Sequence, residues 1–257
     1  MYRIKSNAKW TDLGGVVAAY QPIAAPDSLA ARQNVAHSGA RFGVYTTTLG
    51  VAPTWSAPTG HTYDGATQYL KTGIVPSVQQ TWTFLIRYSG FTKTTLYQNP
   101  LSSVKNVGPV FGFELGTIAD DHIYYENGNY IKKATAPSSA VLAVSGKRAY
   151  RNGVDEGVTI TTLGTTTTLD LYIGAANLNG SPSRMFGGDI PVVLICSCTL
   201  SPAEIVLASR QMAYCHVNPD WNAWARRREY YYAPQAAAGA FNPAWARNTN
   251  TLLGGGM

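Results

Sequence analysis

The chain has 257 residues, 45% of them apolar and 13% charged, with a net charge of +6. That apolar share excludes wholesale disorder and supports a sizeable core, while scarce charge with many Thr, Tyr and Val residues favours sheets over helical bundles. The positive charge is scattered apart from the run Arg226, Arg227 and Arg228. No helix-turn-helix, RNP or zinc-finger pattern accompanies it, so nucleic acid is not an expected partner.

Met1-Tyr2-Arg3-Ile4-Lys5 opens a polar N-terminal segment, residues 1–14, with no signal-peptide core. No apolar run approaches the ~20 residues of a membrane span. The expectation is synthesis in a cytoplasm and no membrane partner. Strand signals then run from about residue 16 to residue 200. Trp82, Phe84, Ile86 and Tyr88 alternate with Thr83 and Arg87, which predicts one buried face. His122 to Ile131 holds Asn127-Gly128 between two aromatic-rich runs, and Asn152-Gly153 follows Arg148 to Arg151. Both are hairpin signals. Leu169, Leu171 and Ile173 alternate with Asp170 and Tyr172, and Ile190 to Leu200 is almost continuously apolar, predicting a central strand buried on both faces.

One helix is well specified. Ser201 stands at an N-cap, Pro202 at the first helical position and Glu204 at the third, with Ile205, Ala208 and Met212 on one stripe. Three cysteines, Cys196, Cys198 and Cys215, make no disulfide framework, and Cys196 and Cys198, inside an apolar strand-like run, read as buried apolar filler. With His216 they offer zinc a poor chelate, because C-x-C lies on a strand. After Pro219 the composition changes: Trp221, Trp224, Arg226, Arg227, Arg228, Tyr230, Tyr231, Tyr232, Phe241 and Trp245 crowd a stretch without alternation. Aromatics that dense need a surface to cover.

Four ordered motifs carry a resemblance. Ala52-Pro53-Thr54-Trp55 with Gly60-His61-Thr62-Tyr63-Asp64-Gly65 through Tyr69-Leu70 comes first, then Thr81-Trp82-Thr83-Phe84. Tyr150-Arg151-Asn152-Gly153-Val154 and Phe186-Gly187-Gly188-Asp189-Ile190 with Leu200 to Ile205 follow. Over residues 15 to 213 this order resembles laminin-G/concanavalin A-like jelly rolls. The resemblance implies an all-β sandwich of two antiparallel sheets over residues 15–218, one short helix near 202–213, and an extended tail over 219–257. The short N-terminus and the Arg/aromatic tail are similar to proteins encoded among the structural genes of tailed bacteriophages.

Chemistry is sparse. Glycosidases on the resembled fold carry alternating acids on one strand, since period 2 sets them on one face. Here Asp120-Asp121 and Asp155-Glu156 are adjacent pairs whose members face opposite ways, and Glu126 flanks a turn. There is no G-x-S-x-G, no H-E-x-x-H and no phosphate loop. No cofactor is expected, although Asp27, Asp64 and Asp189 offer calcium ligands of the kind laminin-G domains use; Asp64-Gly65 also reads simply as a turn. Tyr124, Tyr125, Asn127, Asn129 and Tyr130 supply the residue types of a sugar platform, or of plain cross-strand pairing.

The expectation is therefore a non-enzymatic virion protein of a tailed phage, such as a capsid-decoration or appendage subunit. It would be homo-oligomeric and joined to other virion proteins through its tail, with host-surface glycans as further partners. The alternative is a free carbohydrate-binding, lectin-like module. A glycoside hydrolase is the remote third.

Overall fold

The strand Thr83–Ser89 shows how the sequence sets the layers: Phe84, Ile86 and Tyr88 join one core while Leu85 joins another, and all four are buried. In this computed structural model the described residues are 10–25, 27–36, 45–57, 59–77, 81–92, 97–105, 108–116, 121–126, 129–158, 161–162 and 168–215. They form β1 (Val16–Tyr20), β2 (Thr48–Val51), β3 (Thr54–Ser56), β4 (Gly60–Asp64), β5 (Tyr69–Lys71), β6 (Thr83–Ser89), β7 (Gln98–Lys105), β8 (Gly108–Leu115) and β9 (Asp121–Glu126). Then follow β10 (Asn129–Ala134), β11 (Ala140–Ser145), β12 (Arg148–Arg151), β13 (Val154–Val158), β14 (Thr161–Thr162), β15 (Tyr172–Ile173), β16 (Ala176–Leu178), β17 (Ser181–Ser183), β18 (Gly187–Cys196) and the helix α1 (Pro202–Ala213).

The first sheet runs β13-β12-β11-β6-β18-β4-β3, with β1 added along β18. The second runs β14-β10-β9-β8-β7-β15-β5-β2, with the β16–β17 hairpin beside β7. Every described strand pairing is antiparallel except that of β16 with β7. The described residues are thus all-β, two antiparallel sheets and one α-helix, as the sequence predicts. They form 18 strands; six of them, β3, β5 and β14 to β17, are two or three residues long. None of the described helices is long and apolar enough to cross a membrane.

Two apolar layers hold the fold. Between the sheets lie Phe84, Ile86, Phe111, Phe113, Leu115, Tyr124, Leu142, Val144, Val193 and Ile195. On the far side of the first sheet, Leu85, Val141, Ala143, Val192, Leu194 and Cys196 meet Ile205, Ala208 and Met212 of α1, together with Trp10 and Leu13. Trp10 and Leu13 lie in the segment that the sequence sets apart as 1–14, and the structure packs both into this layer. This second layer is why β18 is apolar on both faces. Each fully buried large side chain contributes about 1.5–3 kcal/mol.

α1 begins where the sequence places it. Ser201 Oγ accepts from the Glu204 amide at 3.3 Å and Glu204 Oε2 accepts from the Ser201 amide at 2.8 Å, satisfying two otherwise orphan donors. Arg87 Nη1 donates to the Met212 carbonyl at 3.2 Å near its other end. Asn152 and Gly153 take φ of +52° and +80°, the primed turn that suits twisted strands.

Candidate functional site

The first sheet has one face on the core and the other under α1. The second sheet has its inner face on the core, and among the described residues no helix lies on its outer face. Residues that alternate with Leu101, Phe113, Tyr124 and Ile173 turn to that outer side, where Ser102, Glu114, Tyr125 and Tyr172 are nonetheless buried. One line of directly opposed positions crosses this face. Tyr130 stands opposite Tyr125, Tyr125 opposite Gly112, and Gly112 opposite Ser102. Ser102 stands opposite Tyr172, Tyr172 opposite Lys71, and Lys71 opposite Thr48. Tyr125 and Tyr172 are three strand spacings apart, about 14 Å, with only the small Gly112 and Ser102 between them.

Each end of the line is aromatic. Tyr125 and Tyr130 have ring centroids 6.1 Å apart. Tyr172 stacks on Tyr69 at 5.1 Å, and Lys71 Nζ lies 5.8 Å from the Tyr172 centroid. A Cβ on Gly112, at φ +111°, would stand 1.9 Å from the Leu101 carbonyl oxygen, so β7 and β8 close up only around glycine.

An ion pair, Arg184 with Glu114, lies on the same face. Arg184 Cζ is 5.4 Å from the Tyr97 centroid, and Tyr125 Oη is 3.4 Å from Glu114 Oε1. Arg184 holds φ +50°, a conformation that costs energy outside glycine and persists where the surroundings impose it. Burial pushes the Glu114 carboxyl up; the Arg184 charge and the hydrogen bonds from Arg184 and Tyr125 pull it back without cancelling the rise. Nearby, Lys132 pairs with Asp121.

The sugar-platform residues named from sequence divide. Tyr125 and Tyr130 share the outer face. Tyr124 does not: it joins the core between the sheets, because neighbours on a strand face opposite ways, while Tyr125 is buried on the other side. Asn129 pairs in β10 opposite Glu126, closing the hairpin, and Asn127 lies outside the described residues. Trp221, Trp224, Arg226, Arg227, Arg228, Tyr230, Tyr231, Tyr232, Phe241 and Trp245 also lie outside them. Tyr97, Glu114, Arg184, Tyr69, Tyr172 and Lys71 were not anticipated. The one available signal was alternation, which set Glu114 between Phe113 and Leu115, and Tyr172 between Leu171 and Ile173.

The three aspartates offered to calcium are engaged locally. Asp64 Oδ1 accepts from the amides of Ala66, Thr67 and Gln68 at 2.8–3.1 Å, which makes it the keystone of its own turn. Asp27 Oδ1 accepts from the Leu29 and Ala30 amides, and Asp189 Oδ1 from Thr62 Oγ1. Among the described residues no three His, Cys, Asp or Glu side chains gather as a metal site. Cys196 and Cys215 are buried, and burial pushes the Cys215 thiol up to about 12.

A second polar cluster is interior. Glu156 accepts from Tyr124 Oη at 2.5 Å, meets His122 Nε2 at 2.9 Å and pairs with Arg151 at 2.9 Å, while His122 Nδ1 reaches the Thr135 carbonyl at 3.1 Å. Its adjacent acid, Asp155, turns outward to Arg148. Tyr124 and His122 are fully buried and Glu156 is 10% exposed, so this cluster joins the sheets, with the Arg151 guanidinium at its outer edge.

No protein-family model and no curated protein matches the chain. Solved structures do. Trypanosoma rangeli sialidase superposes with a TM-score of 0.54 at 12% identity, over 79% of this chain and 34% of the sialidase. Its complex with sialic acid gives 0.55 at 13% identity, over 79% and 34%. Domain 4 of AbnA, a GH43 extracellular arabinanase from Geobacillus stearothermophilus in complex with arabinotriose, gives 0.50 at 16% identity, over 76% of this chain and 98% of that domain. The chain thus spans about a third of the sialidases' length. At these identities the likeness establishes the fold alone, a β-sandwich of two packed sheets. It corrects the expectation of a tailed-phage virion protein: the matched structures are parts of a sialidase and an arabinanase, and nothing among them links the chain to a phage particle or to laminin-G domains.

Proposed function

We propose that this chain is a carbohydrate-binding module that holds an oligosaccharide against the outer face of its second sheet. The observation that carries the reading is the line from Tyr130 and Tyr125 through Gly112 and Ser102 to Tyr172 and Lys71. Sugar rings present C–H faces that stack on aromatic rings and hydroxyls that need hydrogen-bond partners. Tyr125, Ser102 and Tyr172 floor this face at 5%, 0% and 2% exposure, and the half-buried Tyr130, Tyr69, Lys71 and Arg184 around them carry the rings and donors that a sugar would meet. The arabinotriose held by the AbnA domain of similar fold gives this reading further support.

The module binds without cleaving. Glu114 and Asp121 are diagonal neighbours across β8 and β9, about 7–8 Å apart at the backbone, near the separation that inverting glycosidases use. Their side chains are only 3% and 1% exposed, and each is closed by its cation, Arg184 or Lys132. Neither is placed to meet a glycosidic oxygen or an attacking water.

Calorimetric titration against a panel of neutral and acidic oligosaccharides tests the proposal. Binding of at least one class is expected, weakened about tenfold or more, ~1.4 kcal/mol, by Tyr130→Ala or Tyr69→Ala. Absence of binding to every class, or release of reducing ends with loss of that activity in Glu114→Gln, contradicts it.

A further inference from the structure

We infer that the saccharide taken by this face is anionic, carrying carboxylate or sulfate groups, an inference that rests on the carbohydrate-binding reading above. Its basis is an asymmetry shared by both ion pairs of the face. The Arg184 side chain is 27% exposed and its partner Glu114 3%; the Lys132 side chain is 47% exposed and its partner Asp121 1%. In each pair the carboxylate lies behind and the cation in front. Lys71 adds a third cationic head beside Tyr172 and forms no ion pair with a described residue. Asp170, the acid near Tyr172, has its oxygens occupied by Asn177 Nδ2 at 2.8 Å and the Gly73 amide at 3.2 Å. A ligand approaching Tyr69 and Tyr130 therefore meets guanidinium and ammonium groups, with the acids paired to Arg184 and Lys132 lying beneath them.

Arg184 is suited to more than charge balance. It gives one Nη1 contact to Glu114, and its remaining N–H donors are not used by described residues. The neighbouring Tyr97 ring and the Glu114 carboxylate hold the guanidinium in place. A held guanidinium fork matches the two oxygens of a carboxylate or sulfate better than it matches a lone hydroxyl. Neutral sugars would gain the ring stacking and lose this contact.

The test titrates oligogalacturonate, sulfated dextran fragments and a neutral oligosaccharide of matched length, at ~0.05 M and ~0.5 M salt, with polyglutamate as an anion that is not a sugar. An acidic saccharide is expected to bind about tenfold or more tightly than the neutral one and to weaken as salt rises. Binding confined to oligogalacturonate assigns carboxylate recognition; binding confined to sulfated dextran assigns sulfate. Lys71→Gln should weaken the acidic ligand several-fold and by a larger factor than it weakens the neutral one. The double variant Arg184→Met with Glu114→Gln removes both members of the pair, so no buried charge is stranded, and it should abolish the preference. Neutral and acidic ligands binding within about twofold of each other overturn this inference and leave the carbohydrate-binding reading standing. Polyglutamate binding as tightly as the acidic sugars overturns it as well, whereas no saccharide binding at all removes the reading beneath it.

Discussion

Tyr124 on β9 donates its phenolic hydroxyl to Glu156 on β13 at 2.5 Å, and so bolts one sheet to the other through the interior. Tyr124→Phe removes that donor from a carboxylate that is only 10% exposed and should destabilise by about 1–2 kcal/mol. Burial raises the Glu156 carboxyl, but hydrogen bonds from Tyr124 and His122 and the charges of His122 and Arg151 outweigh it, and the group titrates below its usual value of 4.5. A depressed acid stabilises the fold above its unfolded pKa and loses that contribution as pH falls. Urea melts of Glu156→Gln should therefore change less between pH 5 and pH 3 than those of the parent chain.

His61 makes the opposite kind of demand. Burial, aided by the charge of Arg32, lowers its pKa from 6.5 to about 4. Above pH 6.5 the ring is neutral folded or unfolded. Between 6.5 and 4 the unfolded chain takes up a proton that the folded chain refuses, so stability falls with falling pH, by about 3 kcal/mol at most. Chemical denaturation of His61→Gln across that window should give a flatter profile; an identical slope removes this account of His61.

Gly112 tests the close approach of β7 and β8. With a Cβ 1.9 Å from the Leu101 carbonyl oxygen and φ at +111°, Gly112→Ala should destabilise by several kcal/mol or prevent folding. Gly14→Ala, where a Cβ meets nothing within 4 Å, is the matched control and should be close to neutral. Thermal melts of the two variants decide it.

At α1, Ser201→Ala should cost about 1 kcal/mol by removing half of the capping box. Met212→Ala should cost about 2–5 kcal/mol by opening a cavity against Leu85, Val192 and Leu194. Equilibrium unfolding that leaves Met212→Ala unchanged would mean that the helix does not cover the first sheet.

The fold was legible where local signals were long or sharp: the alternation of β6, the apolar run of β18, the Asn152-Gly153 turn and the Ser201–Glu204 box. Short strands such as β14 and β15 have too few residues for a period to emerge, and their pairing is set by neighbours far away in sequence. The site was legible at Tyr125 and Tyr130, where a hairpin brings sequence neighbours together. Arg184, Glu114 and Tyr97 meet through register across β7, β8 and the end of β17, and isolated charges carry no sign of that. Tyr124 was named with Tyr125 because both are aromatic, although one-residue spacing on a strand separates their faces. The virion expectation drew on the residues after Pro219, a part of the chain that the described structure does not reach.

The central claim is that a saccharide lies along the line from Tyr130 to Lys71. Titration of an isotopically labelled chain with the tightest-binding saccharide, followed by two-dimensional amide NMR, tests it most directly. The account predicts shift changes concentrated at Tyr125, Gly112, Ser102, Tyr172 and Lys71, with little change at Leu85, Val192 or α1. Shift changes centred on the first sheet or α1, or saturation without any change along that line, would contradict it.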